Sequence, residues 1–217
     1  GIMNYFDTAH RNMITNQLMP LTIIDEGILE AMTSIKRHSF LPDSLSKIAY
    51  ADHHLKLTGN RWLLSSVLFA KMLVAAELTK EDRVLDLHAL NGYYSAVNAQ
   101  LAEYVVAVEE DEDYASDAHN ALIKHHVDNV IVVSDISAAS QADNVPYDVI
   151  FIYKAIDKLD ESLLEILSDN GCIIALIKNT KILSPAHDIA SAHLVKITKQ
   201  ADSFVTQIIS EETAPIQ

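Results

Sequence analysis

From residue 83 onward, apolar runs of four to eight residues alternate with longer amphipathic segments, and this alternation constrains the fold more than any other feature. Short apolar runs bounded by turn residues read as buried strands, and the segments between them have helical periodicity. The predicted strands are 83–87, 104–108, 129–133, 148–152 and 172–177, and the predicted helices are 92–102, 112–125, 137–142 and 160–167. Such repetition requires parallel strands joined by right-handed crossovers, with helices on both faces of a doubly wound sheet. The last segments, 192–198 and 204–210, alternate β-branched and polar residues around Ala201-Asp202 and predict a C-terminal β-hairpin.

The part before residue 65 reads differently. Residues 6–19 have helical spacing and stop before Pro20, a second helix starts with Asp25 as its N-cap, and Pro42-Asp43-Ser44 marks another helix start. Residues 65–78 form a helix suited to packing on a sheet. One domain is expected over 1–217, with 1–64 as a helical extension and acceptor-side loop and 65–217 as a Rossmann-like core.

Thirty acidic residues against sixteen basic ones give a formal charge of −14, which argues against nucleic acid and anionic membrane as partners. The most apolar stretch, 67–78, is interrupted by Lys71 and Glu77 and falls short of the roughly 20 residues needed to cross a bilayer. The N-terminus, Gly1-Ile2-Met3-Asn4, lacks a signal pattern, and the lone Cys172 sits in an apolar run. A reducing, cytoplasmic location is the expectation.

Ligands of doubly wound sheets bind beyond the carboxyl ends of the strands, where strand order reverses. The first such loop reads Asp86-Leu87-His88-Ala89-Leu90-Asn91-Gly92-Tyr93. Glu109, 23 positions after Asp86, ends the second strand and is placed to accept from a ribose diol. Asp135 follows the third strand, where its carboxylate can accept from the exocyclic amine of adenine. Each acid alone reads equally well as a solvated strand end; three in succession favour a nucleoside pocket. His53-His54 and His125-His126 are adjacent pairs that face apart, so no metal site is expected. Ser184-Pro185-Ala186-His187-Asp188 has no nucleophile-elbow context and predicts no hydrolase triad.

These motifs, in this order, resemble the protein-L-isoaspartate O-methyltransferase family over nearly the whole chain. The similarity runs through Asn12-Met13-Ile14-Thr15-Asn16-Gln17-Leu18, Arg37-His38-Ser39-Phe40-Leu41-Pro42, Asp82-Arg83-Val84-Leu85-Asp86-Leu87 with Gly92-Tyr93, Val108-Glu109, Ser134-Asp135, Pro146-Tyr147-Asp148 and Leu167-Ser168-Asp169-Asn170-Gly171. The resemblance implies the class I S-adenosylmethionine-dependent methyltransferase fold, S-adenosylmethionine as donor, and an isoaspartyl carboxylate in damaged protein as acceptor. It implies cofactor contacts from Asp86, His88, Asn91, Gly92, Glu109 and Asp135.

Two segments depart from the family pattern. The cofactor loop of the family has glycine at three alternate positions, which here are His88, Leu90 and Gly92. Side chains at the first two crowd a site where backbone must approach the ligand. In the acceptor segment Thr58-Gly59-Asn60-Arg61-Trp62-Leu63-Leu64-Ser65-Ser66, the serine position of the family holds Leu64, leaving Ser65 as the candidate catalytic residue, although Ser65 or Ser66 reads more readily as a helix N-cap, and Trp62 as a filler of the cleft. The expectation is a methyltransferase of this family with activity reduced or lost; the alternative is a non-catalytic homologue serving as a binding or assembly module.

Overall fold

In the computed structural model, which describes residues 2–21, 24–141, 143–184 and 188–217, β3 (Arg83–Leu87) lies at the middle of a seven-stranded sheet. It pairs in parallel with β4 (Tyr104–Val108) on one side and β6 (Tyr147–Ile156) on the other. Outward from β4 lies β5 (Val130–Val133), also parallel. Outward from β6 lie β7 (Leu167–Ser184, parallel), then β8 (Ile189–Gln200) and β9 (Ser203–Pro215), both antiparallel. Val84, Leu85, Val105, Val106 and Ala107 are fully buried. Burial on both faces is why these strands read as continuous apolar runs rather than alternating ones.

The chain leaves β3 toward β4 and β5, then returns across the sheet to β6, so strand order reverses between β3 and β6. That reversal opens a crevice at their carboxyl ends. One face is covered by α1 (Ile2–Met13), α2 (Glu26–Ser34), α4 (Ser66–Ala76) and α5 (Tyr93–Leu101); Met13, Met32, Phe69 and Tyr94 share one core with Val84 and Phe151. A smaller core on Leu85, Val106, Ile150 and Ile173 packs under α7 (Ile136–Ala139) and the 3-10 turn Glu161–Ile166. The remaining helices are α3 (Asp43–Ser46) and α6 (Glu112–Lys124).

The five predicted core strands and the closing hairpin are present, with local differences. The first helix continues from α1 into a π-helical turn, Ile14–Leu18, before Pro20. Residues 160–167 form a six-residue 3-10 turn capped by Asp160, too short for the predicted α-helix. The helix predicted over 137–142 spans only Ile136–Ala139; residue 142 lies outside the described residues. β7 exceeds the predicted 172–177 because Leu167 already pairs with Tyr147 and its far end follows β8. Residues 185–187, in the Ser-His-Asp neighbourhood, lie outside the described residues. A small hairpin of β1 (Leu55–Lys56) and β2 (Trp62–Leu63) was not predicted, since two-residue strands carry no readable periodicity.

Candidate cofactor and acceptor site

The loop after β3 has the conformation that glycine favours, built partly without glycine. His88, Leu90 and Gly92 all have positive φ, at 66°, 59° and 90°. L-residues with a Cβ reach this region at a cost of about 1–2 kcal/mol each, so the loop is held by its bonds. Ala89 N donates to Val108 O at 3.0 Å, and Asn91 Nδ2 donates to Phe40 O at 3.0 Å while its Oδ1 accepts from Tyr93 N at 3.1 Å. Leu90 is 1% exposed, its side chain committed to the core. Gly92 cannot be replaced freely, because a Cβ there would lie 3.2 Å from Ala118 of α6.

The three predicted acids are all engaged internally. Asp86, on β3, is completely buried and accepts from Ser95 Oγ at 2.6 Å, Asn98 Nδ2 at 2.9 Å and Tyr153 Oη at 2.7 Å. Burial raises its pKa to about 6, against the opposing effect of those donors. Tyr153 is in turn stacked on Tyr94 with centroids 4.0 Å apart. Asp135 caps α7, accepting from Ala138 N at 2.8 Å, and stands exposed.

Glu109 is the most heavily bonded of the three. The Arg61 guanidinium donates to it twice, Nη1 to Oε2 at 2.9 Å and Nη2 to Oε1 at 2.5 Å. Leu90 N donates to Oε1 at 2.7 Å and Asp111 N to Oε2 at 3.0 Å. A carboxylate offers about four lone-pair sites, and four donors now occupy them. Arg61 belongs to the turn between β1 and β2, which Tyr114 of α6 holds in place: Arg61 lies 5.2 Å from the centroid of its ring and Tyr114 Oη donates to Thr58 O at 2.7 Å. Gln217 ties the same hairpin to β6, accepting from Trp62 N at 2.6 Å and donating to Tyr153 O at 3.1 Å.

On the acceptor side, Leu64 is fully buried; its N–H donates to Tyr94 Oη at 2.8 Å and its carbonyl accepts from the buried Arg37 guanidinium. Ser65 caps α4, its hydroxyl accepting from Leu68 N at 3.2 Å, and its own N–H donates to His54 Nδ1 at 3.0 Å. Trp62 is half-buried beside the site. Between the strand ends a cavity of about 360 Å³ persists, lined by Leu87, His88, Val108, Ile136, Ile152 and Lys154 among others. Burial, helped by the neighbouring Arg61 and Lys154 charges, lowers the His88 pKa to about 4, so the imidazole is neutral at pH 7.

Of the predicted residues, His88 lines this cavity; Asp86, Asn91 and Glu109 are buried and bonded within the protein, Asp135 is exposed at the start of α7, and Ser65 heads α4. Sequence reasoning did not identify Arg61, Tyr153, Arg37 and Gln217 as parts of the site. Arg61 carried no signal in spacing, because its partner lies 48 positions away. Tyr153 fell one position past the predicted strand 148–152.

The Glu109 carboxylate, predicted to accept from a ribose diol, already meets four donors, and the Leu90 side chain packs in the main core. Among the described residues no three His, Cys, Asp or Glu side chains gather to hold a metal.

Comparison with known proteins places this geometry in context. The family model for protein-L-isoaspartate(D-aspartate) O-methyltransferase matches residues 8–212. A protein-L-isoaspartate O-methyltransferase 1 from Syntrophobacter fumaroxidans is 30% identical over 169 residues, 78% of this chain and 79% of its own. One from Methanoculleus marisnigri is 31% identical over 163 residues, 75% of this chain and 74% of its own. In fold, a putative enzyme of this type from Plasmodium falciparum, solved with S-adenosyl-L-homocysteine, superposes with a TM-score of 0.77 at 16% identity, covering 95% of this chain and 97% of that one. The architecture is the Rossmann-like fold of the class I S-adenosylmethionine-dependent methyltransferases, with a mostly parallel sheet and an antiparallel C-terminal hairpin. With a family model matching nearly its whole length, the chain belongs to the protein-L-isoaspartate(D-aspartate) O-methyltransferase family.

Proposed function

We propose that this chain is a carboxyl methyltransferase of the isoaspartyl type by descent, with S-adenosylmethionine as its donor and isoaspartyl protein as its acceptor, whose donor subsite is closed by its own Arg61. Methyl transfer is reduced or lost while that closure holds. The observation that carries this reading is the saturation of Glu109 by Arg61, Leu90 N and Asp111 N. In this reading Asp86, His88, Asn91, Gly92, Glu109 and Asp135 border the donor subsite, and Ser65 lies at the acceptor edge. One domain carries both halves of the site, consistent with the N-terminal helices and the sheet sharing a core. The acidic surface disfavours nucleic acid as a partner, and no described helix is long and apolar enough to cross a membrane. Lone, buried Cys172 suits a cytoplasmic protein engaged in repair of damaged chains or in a role derived from it.

A second reading is a non-catalytic homologue acting as a binding or assembly module. It is favoured by Leu64, whose buried side chain takes the family serine position and offers no hydroxyl to an acceptor.

Calorimetric titration with S-adenosylhomocysteine tests the proposal. The wild type is expected to bind with a Kd weaker than about 1 mM, and Arg61→Ala to bind at least about tenfold tighter, a change of about 1.4 kcal/mol. Micromolar binding by the wild type, unchanged by Arg61→Ala, overturns it. Methyl transfer to an isoaspartyl peptide by Arg61→Ala separates the two readings: turnover supports a closed enzyme, and binding without turnover supports the module.

A further inference from the structure

β9 ends the sheet: it pairs with β8 on its inner side, and its outer backbone edge has no strand partner among the described residues. Sheet edges are ordinarily guarded by lysine, proline or a covering element. Here the segment Phe204-Val205-Thr206-Gln207-Ile208-Ile209 contains no charged residue and no proline. Phe204, Val205 and Ile208 are 46%, 52% and 62% exposed. The register against β8 is regular from Ser203 to Ile208 and shifts only at Leu194/Val195, which leaves Ile209 as the extra residue of a bulge. The open edge is therefore uncharged over six residues and regular in register up to Ile208.

Phe204, Thr206 and Ile208 share one face, since they pair with Lys199, Ile197 and Val195 of β8. On that face a groove of about 790 Å³, lined by Ile177, Val195, Ile197, Phe204 and Thr206 among others, separates the edge from the turn at Asp157–Glu161. Among the described residues, the groove lining comes from the sheet and from the 157–161 turn.

We propose that this edge pairs with the same edge of a second copy of this chain, joining the two sheets antiparallel about a two-fold axis at Thr206. Unmet N–H and C=O groups in a row specify a β-strand as the occupant. A two-fold normal to the sheet keeps faces matched and pairs positions equidistant from Thr206. Each Phe204 then lies opposite the partner's Ile208, the kind of aromatic–aliphatic cross-strand contact that stabilises sheets. Charge also selects this strip: two chains of −14 repel over most of their surfaces, and residues 203–210 bring no ionisable group to the contact. A single strand pair covers less than the roughly 800 Å² per partner of a standard interface, so the dimer is weak, dependent on concentration, and strengthened by salt that screens the repulsion.

Sedimentation of the full chain from about 1 to 300 μM, at about 0.15 and 0.5 M salt, reads this directly. The expected result is a monomer–dimer equilibrium that tightens at high salt and weakens at least about tenfold in Ile208→Lys, with no change in melting temperature. Thr206→Cys places two thiols across the axis, where antiparallel Cα separations of about 4.5–5.5 Å fall in the disulfide range. Mild oxidation is expected to link this variant into dimers and to leave the wild type unlinked, because Cys172 is buried. A monomer at every concentration, a dimer unaffected by Ile208→Lys, or a Thr206→Cys variant that fails to cross-link overturns the proposal.

Discussion

The Arg61 guanidinium closes on the Glu109 carboxylate with two bonds of 2.9 and 2.5 Å, and both side chains are almost wholly withdrawn from solvent. The pair joins the β1–β2 hairpin to the carboxyl end of β4, the second strand of the core.

Removing one partner of a buried pair leaves the other charged and unsatisfied, at a typical cost of about 3–5 kcal/mol. Arg61→Ala should fall at the lower end, about 3 kcal/mol, because two backbone N–H groups still donate to Glu109. Glu109→Gln on that background should recover part of the loss. A urea double-mutant cycle is expected to return a coupling of at least about 1.5 kcal/mol; a coupling near zero means that the pair does not hold the hairpin in solution.

Leu90 lies at φ 59° and is 1% exposed, so its backbone asks for glycine and its side chain for a leucine. Both truncations lose the buried side chain, at about 2–5 kcal/mol. Alanine keeps the Cβ strain and glycine relieves it, by about 1 kcal/mol. Leu90→Gly should therefore be the more stable of the two by thermal melt, the reverse of the usual order. The ordinary order would show that the loop does not hold this conformation.

Ser65 is bonded as the cap of α4. Ser65→Ala should cost about 1 kcal/mol and Ser65→Asp, which also caps, much less. If Ser65 served the acceptor instead, methyl transfer in an Arg61→Ala background would drop with both substitutions alike, and stability would not track the cap.

Acidification should destabilise the fold. His10, His38, His54, His88 and His125 are all held below the usual 6.5 by burial, His88 at about 4. The unfolded chain protonates them near 6.5 and the folded chain resists, so their contribution is complete above that pH and is lost as pH falls through the folded values. Asp86 acts oppositely: with its pKa raised from 3.8 to about 6, its contribution is complete below 3.8 and is lost as pH rises through about 6. Asp82, also raised by burial, acts in the same sense as Asp86, and five histidines against these two carboxylates make melting temperature fall from pH 7 to 5. Each proton difference contributes up to about 1.4 kcal/mol per pH unit, and His88→Gln should flatten the slope. Identical slopes for the variant and the wild type would show that His88 is not kept neutral by the fold.

The core strands were legible because a parallel strand buried on both faces is a short, locally apolar run. The cofactor loop was legible for a related reason: His88, Leu90 and Gly92 occupy positions whose backbone demand is local, and the positive φ at all three is that demand made visible. The β1–β2 hairpin was not legible, since four residues of strand leave no pattern. The fate of Glu109 was not legible either. Its position at a strand end was correctly read, but its four donors come from Arg61, Leu90 and Asp111, and only the last is a neighbour in the chain.

By itself the sequence determined the layered α/β architecture and the family, because periodicity and turn chemistry are encoded within a few residues of one another. Only the tertiary structure decided what Glu109 bonds to. A hydrogen bond depends on distance in space, and Arg61 reaches Glu109 from the β1–β2 hairpin, against the Tyr114 ring, in a way that no local pattern records.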